Sequence, residues 1–368
     1  MTGFVPPPYP YDRLAEIVTL ANAHEGGAVD LSVGTPSDAP PDEVTAALAS
    51  SAAARTYPPS IGTVGFRESA AAWLQRRLGA TVDPQREIAA CVGTKEFVAS
   101  TPQYLKLRTP ARDTVLYPSI SYPTYAMGAT LAGCRAVPFR SLDEINPDDA
   151  ARALMLWVNS PSNPTGELDD LDAAAAWGRE RDIPVFSDEC YAEFTWATSP
   201  KSVLTSGTQG VVAVHSLSKR DNFAGARIGF YAGDAELIHY LSEVRKHAGL
   251  MPPGPVQAAA ILALNDDAHV EAQRQRYLSR MTALAEVLTA VGYPAHLPEG
   301  AFYLWVAAPD GAWTAAKDLA QRLGIVVSPG DFYGPDSDGY FRVAAVAQDD
   351  RIALVVSRAG TSQLAAGS

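Results

Sequence analysis

Between about residues 43 and 250, short apolar runs alternate with amphipathic stretches of helical length. The apolar runs are IAACVG (88–93), TVLYP (114–118), RAVPF (135–139), ALMLWVN (153–159), IPVFSD (183–188), VVAVHS (211–216) and RIGFYAG (227–233). Fully apolar strands that alternate with helices predict an α/β fold whose mostly parallel, seven-stranded sheet is covered on both faces. In such sheets, ligands bind beyond the carboxyl ends of the strands.

The pattern changes in the last third of the chain. A long helical stretch is followed by strands and helices without strict alternation, which predicts a smaller α+β domain. We therefore expect an N-terminal arm with part of the small domain (1–42), a large domain (43–254) and a C-terminal small domain (255–368). The proline-rich start predicts an extended arm, and the residues after Arg358 predict a disordered tail.

Charge and composition exclude several classes of protein. The 368 residues carry a formal net charge of -12 and no long basic run, so we expect no nucleic-acid partner. No signal peptide or membrane-spanning apolar run is present, so a cytoplasmic protein without a membrane partner is expected. The three cysteines are widely spaced and fit neither a disulfide framework nor a zinc site, so no metal is expected.

The segment VHSLSKRDNFAGARIGF (214–230) places a lysine directly after an apolar run. Lysine forms Schiff bases with aldehydes once desolvation lowers its pKa, and Lys219 is the candidate here. Ser216 and Ser218 offer hydroxyl donors, and Arg227 offers a planar guanidinium suited to phosphate. A lone lysine is more typical of a surface position, but the four residues together indicate a site for a phosphorylated aldehyde cofactor.

The segment VFSDECY (185–191) ends an apolar run with an acidic residue. Burying Asp188 is costly without a cationic partner, and a protonated pyridine nitrogen would be one. Tyr191 could donate a hydrogen bond to the phenolic oxygen of the same ring. An ordinary helix N-cap remains the alternative for Asp188.

Three further segments are weaker signals when taken alone. NSPSNPTG (159–166) offers Asn163 to the same phenolic oxygen, although it also reads as a common turn. VGTKEF (92–97) places Gly93 before a helix, whose free amides at Gly93, Thr94 and Lys95 could bind phosphate. SYPTY (121–125) offers Tyr122 as a ring to stack on a pyridine, although a tyrosine is usually packing.

YFRVAAV (340–346) puts an arginine inside an apolar strand. Arginine is rarely buried without a partner, and a substrate carboxylate gripped by both ends of the Arg342 guanidinium would be one. A structural salt bridge is the alternative.

In this order, these segments resemble the class I and II aminotransferases of pyridoxal-5'-phosphate (PLP) fold type I, from about Tyr9 to Arg358. The resemblance implies that Lys219 carries PLP as a Schiff base, that Asp188 pairs with the pyridine nitrogen, and that Asn163 and Tyr191 hold the phenolic oxygen. It also implies the remaining cofactor contacts, which are ring stacking by Tyr122 and phosphate binding by Ser216, Ser218, Arg227 and the amides of Gly93, Thr94 and Lys95.

The resemblance further implies the substrates and the assembly. Arg342 would bind the α-carboxylate of amino-acid and 2-oxo-acid substrates, helped by the backbone around Gly34. Tyr57, in TYPPSIGTVGFRES (56–69), would reach the phosphate of a neighbouring subunit, so a homodimer with shared active sites is expected.

Several stretches resemble succinyldiaminopimelate aminotransferases in particular, among them SDECYAEF (187–194) and the segment 244–277. These enzymes use glutamate as donor, and both substrates carry a distal carboxylate that needs a cation. Lys95 is the first candidate for this cation, with Arg245 and Lys246 behind it. Two segments depart from the relatives' pattern, since Ala226 precedes the phosphate arginine and FYG in PGDFYG (329–334) replaces the commoner aromatic–glycine pair.

Other functions stay open. A nucleotide-dependent dehydrogenase would show G-x-G-x-x-G after the first strand, which the sequence lacks. A cofactor-sensing transcription regulator would carry a DNA-binding module before this domain. Within the aminotransferases, an aromatic, branched-chain, LL-diaminopimelate or specialised-pathway enzyme would share every cofactor residue.

Overall fold

The computed structural model describes residues 3–49 and 52–366, with side chains as far as residue 360. In this part of the chain the helices are α1 (Ala15–Asn22), α2 (Asp42–Ala47), α3 (Val64–Leu78), α4 (Thr94–Arg108), α5 (Thr124–Leu131), α6 (Pro147–Ala151), α7 (Leu171–Arg181), α8 (Leu217–Arg220), α9 (Ala235–His247), α10 (Gly254–Asn265), α11 (Ala268–Ala290), α12 (Ala312–Leu323) and α13 (Asp349–Ala366). The strands are β1 (Val29–Asp30), β2 (Ile88–Cys91), β3 (Thr114–Pro118), β4 (Arg135–Phe139), β5 (Ala153–Asn159), β6 (Val185–Asp188), β7 (Val211–Ser216), β8 (Gly229–Gly233), β9 (Tyr303–Ala307), β10 (Ile325–Val326), β11 (Ser328–Pro329) and β12 (Tyr340–Ala344).

A seven-stranded sheet has the strand order β2-β8-β7-β6-β5-β3-β4. Strands β7, β6, β5, β3 and β4 pair in parallel, whereas β8 runs antiparallel to both of its neighbours. All seven strands fall within the apolar runs of the sequence. The predicted α/β class with a mostly parallel sheet is therefore confirmed.

Two apolar clusters pack against this sheet, one on each face. Ile88 and Ala90 of β2 belong to one cluster, and their neighbours Ala89 and Cys91 belong to the other. Successive side chains of a strand point to opposite faces, so a strand buried in both clusters must be apolar along its whole length. This burial explains why the runs lack an alternating polar pattern.

The chain forms two compact units. The larger unit spans 38–275 and 299–301, and the smaller unit comprises 1–37, 276–298 and 302–368. Residues 255–275, which the sequence assigned to the small domain, belong to the larger unit, where α10 packs against α2 and α3.

The smaller unit contains a three-stranded antiparallel sheet of order β11-β12-β9. Arg342, in the middle of β12, lies opposite Trp305 on β9 and opposite Ser328 on β11. Side chains at paired positions point to the same face of a sheet, so this arginine shares its face with both residues.

The prediction of a disordered tail after Arg358 is wrong for residues 359–366, which continue helix α13. Ile352, Val355 and Ala359 are buried along one side of this helix. The spacing of three and four residues places these side chains on one helical face, and their burial stabilises a helix that composition alone does not predict.

No helix among the described residues is long and apolar enough to cross a membrane. No group of three or more histidine, cysteine or acidic side chains in the same residues is arranged to hold a metal ion.

Candidate active site

Lys219 lies on α8, the short helix that begins where β7 ends. Ser216 caps the start of this helix, and its hydroxyl accepts a hydrogen bond from the amide of Ser218 at 3.1 Å. Both serines are buried and Lys219 is half-buried. The lysine is thereby fixed at the carboxyl end of a central strand, where ligands of parallel sheets bind.

Asp188 ends β6, the strand beside β7. Its side chain is 7% exposed and accepts hydrogen bonds from the Tyr125 hydroxyl at 3.0 Å and the Cys190 amide at 3.2 Å. Burial raises the pKa of this carboxyl above its ordinary value, although its hydrogen-bond donors oppose the shift. A carboxylate buried at a strand end is costly without a cationic partner, so its position suits a cationic group of a ligand.

Tyr125 was missed as a site residue, although it stands in the quoted segment SYPTY. It is fully buried on α5, three positions after Tyr122, and its ring stacks on Trp157 at 5.3 Å. Its partner Asp188 is 63 positions further along the chain, so the sequence alone carries no signal that identifies Tyr125.

Asn163 is held by a loop that follows β5. Its amide donates to the side-chain oxygen of Asn159 at 2.8 Å, and the Asn159 side-chain nitrogen donates to the carbonyl of Asp188, also at 2.8 Å. Asn163 and Tyr191 are each 7% exposed. Asn159 therefore links the Asn163 loop to the end of β6, a role that the sequence did not reveal because Asn159 falls within a turn-rich segment.

Gly93 and Arg227 meet at the start of α4. Gly93 has φ +88°, and a β-carbon added there would lie 2.7 Å from Cζ of Arg227. Only glycine combines this backbone conformation with so close an approach. The exposed Arg227 donates to the carbonyl of Ala224 at 2.8 Å and so presents its guanidinium beside the free amides of a 15-residue helix.

Lys95 and Tyr122 lie close together on the exposed side of this helix start, with the Lys95 nitrogen 5.9 Å from the centre of the Tyr122 ring. Thr94 connects the same turn to the residues around Asp188, because its hydroxyl lies 3.3 Å from the Cys190 sulfur. The structure therefore gathers the predicted residues of VGTKEF, SYPTY and SDECY.

A buried ionic network lies next to Lys219. Arg220 contacts Glu193 at 3.3 Å and Asp221 at 2.6 Å, and Asp221 also lies 2.8 Å from His269. The first three side chains are at most 4% exposed. Buried charges are costly unless paired, so these partners fix the end of α8 to the body of the larger unit.

Arg342 is 1% exposed within the smaller unit. Its Nη2 atom donates to the carbonyl of Ser32 at 2.6 Å and to the Tyr11 hydroxyl at 3.4 Å. The guanidinium carbon lies 4.0 Å from the centre of the Tyr303 ring. Its described contacts are thus carbonyl, hydroxyl and aromatic groups.

Gly34 lies against the same ring. A β-carbon at this position would be 2.9 Å from Cε1 of Tyr303, so any larger residue would displace the ring that covers Arg342. The backbone from Ser32 to Gly34 therefore lies beside Arg342.

Arg245 and Lys246, two of the three candidate cations for a distal carboxylate, lie beside glutamates. Arg245 is 1% exposed, pairs with Glu96 and lies over the Phe97 ring at 5.2 Å, which is a structural role. Lys246 is exposed and lies 3.4 Å from Glu243. Tyr57, the proposed inter-subunit residue, is 92% exposed.

The residues of the larger unit fit PLP. They comprise a lysine at a strand end, a buried carboxylate suited to a pyridinium nitrogen, and a glycine cradle that a β-carbon would fill beside an arginine suited to phosphate. Fold and site together define a PLP-dependent transferase of fold type I.

The chain belongs to the family described as aminotransferase class I and II, which matches residues 27–357. It is 44% identical to 4-dedimethylamino-4-oxo-anhydrotetracycline transaminase OxyQ of Streptomyces rimosus, over 96% of this chain and 98% of the relative. It is also 44% identical to the probable aminotransferase Rv1178 of Mycobacterium tuberculosis, over 96% of this chain and 85% of the relative. The structure of a probable N-succinyldiaminopimelate aminotransferase from Thermus thermophilus superposes with a TM-score of 0.85 and 28% identity, covering 96% of this chain and all of the other.

Proposed function

We propose that this aminotransferase exchanges an amino group between glutamate and an oxo acid that carries a distal carboxylate, with N-succinyl-LL-2,6-diaminopimelate as the first candidate product. The observation that carries the proposed chemistry is the position of Lys219 at the end of β7, beside the strand that ends in the buried Asp188. This is the placement that amine exchange on PLP requires.

Each residue has a distinct task in this proposal. When bound, PLP supplies an aldehyde that takes up the amino group and a ring that accepts electrons from the substrate α-carbon. The Lys219 nitrogen would anchor the cofactor and would move the substrate α-proton as general base. Asp188 would keep the nitrogen of the PLP ring protonated. Asn163 and Tyr191 would donate hydrogen bonds to the phenolic oxygen of the same ring.

The remaining contacts bind phosphate and substrate. Arg227, Ser216 and Ser218, with the amides of Gly93, Thr94 and Lys95, would hold the phosphate, and Tyr122 would stack on the ring. Arg342 would bind the substrate α-carboxylate through the edge of its guanidinium, whose N–H groups match the two carboxylate oxygens.

Lys95 supports the distal-carboxylate part of the proposal. It is exposed and lies beside the ring of Tyr122, the residue proposed to stack on the cofactor. Arg245 pairs with Glu96 and Lys246 lies beside Glu243, so Lys95 is the first of the three candidate cations for the distal carboxylate.

A second candidate is a specialised biosynthetic substrate. The 44% identity to OxyQ, whose name gives an oxo-anhydrotetracycline as its substrate, favours this alternative. Such an enzyme would share the PLP residues and differ in the surroundings of the substrate, where Lys95 and Arg342 are the residues to compare.

The experiment is a half-reaction of the PLP-loaded protein with a panel of amino donors, followed by visible absorbance. The panel contains glutamate, N-succinyl-LL-2,6-diaminopimelate, LL-diaminopimelate, an aromatic and a branched-chain amino acid, with Lys219→Ala as the inactive control. Fast conversion by glutamate and the succinylated compound alone supports the proposal. Conversion by other donors, with the succinylated compound inert, discards that substrate and keeps the amine exchange.

A further inference from the structure

Two phenol groups lie beside Arg342 in the smaller unit, and the proposed function gives neither a task. Tyr11 stands in a 3-10 helix at Pro10–Leu14, and Tyr333 ends another at Gly330–Tyr333. The Tyr11 hydroxyl lies 3.4 Å from Nη2 of Arg342 and 3.3 Å from the Tyr333 hydroxyl. Tyr333 belongs to PGDFYG, one of the two segments in which the sequence departs from the relatives' pattern.

Aromatic rings cover the Arg342 guanidinium. Its carbon lies 4.0 Å from the centre of the Tyr303 ring and 4.9 Å from that of Tyr333. Rings over a guanidinium leave the N–H groups at its edge to bind an anion. The Tyr11 hydroxyl is located at this edge, where it contacts Nη2.

The hydrogen bond between the Tyr11 and Tyr333 hydroxyls is long. O–H···O hydrogen bonds are usually about 2.5–3.0 Å long. The contact with Tyr333, at 3.3 Å, is longer. A carboxylate oxygen accepts a hydrogen bond more strongly than a neutral hydroxyl does. An anion bound at the edge of Arg342 would therefore draw the phenolic proton of Tyr11 toward itself.

The pKa values of Tyr11 and Tyr333 agree with hydrogen-bond donation by Tyr11 to a bound anion. Burial raises the pKa of Tyr11, but the neighbouring Arg342 charge and the hydrogen bonds with Tyr333 and Ser328 outweigh it, so the pKa falls below the ordinary value. Burial instead raises the pKa of Tyr333 well above its ordinary value. Tyr11 is thus the more acidic phenol of the two and the better donor to an anion.

We infer that Tyr11 is a specificity-determining residue that binds the substrate carboxylate jointly with Arg342. Two donor groups then converge on one head group, which selects a carboxylate, with two acceptor oxygens, over a carboxamide, whose nitrogen would face a donor. The inference rests on the proposed function, because it takes Arg342 as the carboxylate-binding residue.

The arrangement has a pH signature. The groups that face Tyr11 are Arg342, Tyr333 and Ser328, and the nearest ion pair on the same 3-10 helix is Arg13 with Asp331 at 2.9 Å. Ionised Tyr11 would neutralise Arg342 and repel a carboxylate. Carboxylate binding should therefore weaken at alkaline pH, and this alkaline loss should disappear in Tyr11→Phe.

The test compares Tyr11→Phe with the matched control Tyr9→Phe, a half-exposed tyrosine two positions earlier. The dissociation constants of glutarate and of its diamide are measured by calorimetry on the PLP-loaded protein between pH 7 and pH 10. Loss of one charge-assisted hydrogen bond should weaken glutarate binding by about 5- to 20-fold and leave the diamide within about twofold. The visible absorbance of the cofactor should change little in Tyr11→Phe, the KM for glutamate should rise together with the glutarate dissociation constant, and Tyr9→Phe should match the parent protein.

The outcomes separate the inference from the proposed function. If Arg342→Ala weakens glutarate binding and Tyr11→Phe does not, the inference is wrong and the task of Arg342 stands. If Arg342→Ala also binds glutarate normally, the carboxylate site itself is misassigned. Should Tyr11→Phe fail to fold, Tyr333→Phe removes a hydrogen bond that lowers the Tyr11 pKa, so the alkaline loss must shift to higher pH; an unshifted profile overturns the inference.

Discussion

Asp188 brings a carboxylate into an almost fully buried position, and the residues around it decide what that charge can do. Burial raises its pKa, whereas the hydrogen bonds from Tyr125 and Cys190 favour the ionised form. A pyridinium partner would add the charge that these neutral donors lack. The Tyr125 hydroxyl also fixes the direction of the carboxylate, since it bonds one oxygen and the Cys190 amide bonds the other.

We expect Tyr125→Phe to weaken PLP binding by about tenfold, because one hydrogen bond to a buried carboxylate is worth roughly 1.5–3 kcal/mol and part of it is recovered by the cofactor. The measurement is the PLP dissociation constant, followed by visible absorbance. Tyr240→Phe is the control, since its hydroxyl donates to the Tyr104 carbonyl at 2.7 Å in the same unit. Equal PLP affinity in the two variants would contradict the orienting role of Tyr125.

Some residues of the site can be identified from the sequence, and others cannot. Lys219, Asp188 and Asn163 could be proposed because strand ends and turn residues identify them directly in the sequence. Tyr125, Asn159 and Tyr11 could not, because each acts through a partner that is distant along the chain. Such partners become visible only when the fold brings the two segments together.

At the scale of elements, the turn between β2 and α4 joins backbone conformation to ligand binding. Gly93 allows the chain to turn with φ +88°, and Arg227, itself at φ +57°, fills the space that a β-carbon would need. A phosphate bound there would meet the free amides of α4 and the Arg227 guanidinium together.

Gly93→Ala should raise the PLP dissociation constant by tenfold or more, because the methyl group would displace the Arg227 guanidinium. Gly133→Ala is the matched control, with φ +65° and no atom within 4 Å of an added β-carbon. Gly133→Ala should lose about 1–2 kcal/mol of stability from its positive φ. Gly93→Ala, whose backbone at φ 88° and ψ 145° is accessible essentially only to glycine, should lose roughly 1–3 kcal/mol. Only Gly93→Ala should lose cofactor affinity, as measured by titration with PLP, and a similar loss in Gly133→Ala would argue against the cradle.

The network beside α8 predicts a pH-dependent stability. Burial lowers the pKa of His269, but the hydrogen bond and charge of Asp221 outweigh it and raise the pKa above 6.5. The contribution of a group with a raised pKa is fully present below the unfolded-state pKa and is lost as pH rises through the folded-state pKa. The ion pair of His269 with Asp221 therefore stabilises the protein most in mildly acidic solution.

Relative to the parent protein, His269→Gln should lose about 1–3 kcal/mol of unfolding free energy near pH 5.5, and the difference should shrink above the folded-state pKa. Urea unfolding of the PLP-loaded protein at several pH values measures it. His296→Gln, which changes an exposed histidine, should leave the pH profile as it is. If the difference in unfolding free energy between His269→Gln and the parent protein stays constant with pH, the loss comes from packing alone.

Elements were predicted more completely than sites. The seven strands of the large sheet could be predicted because both of their faces are buried, which leaves continuous apolar runs such as ALMLWVN. The limits of the two units could not be predicted from the sequence, because the helical pattern of α10 fits either unit. Only the packing of α10 against α2 and α3 assigns this helix to the larger unit.

At the scale of the whole molecule, the exposed Tyr57 bears on whether the site is shared between two subunits. Tyr57 is 92% exposed and is the residue proposed to reach a neighbouring subunit's phosphate. A large, fully exposed tyrosine gains little by packing within its own chain. A homodimer with shared sites, which is typical of this family, would give it a partner.

Mixed dimers test this proposal. Lys219→Ala should bind PLP without the visible band of the lysine-bound form, and Tyr57→Ala should bind PLP about tenfold more weakly, as expected for losing one phosphate hydrogen bond. In a dimer of one variant chain with the other, the intact Lys219 and the intact Tyr57 belong to different chains. If sites are shared, that dimer contains one complete site with parental affinity and about half of the parental glutamate turnover. If each chain has its own site, the intact Lys219 lies in the chain that carries Tyr57→Ala. Titration followed at the visible band of the lysine-bound form should then find only the weak affinity of Tyr57→Ala.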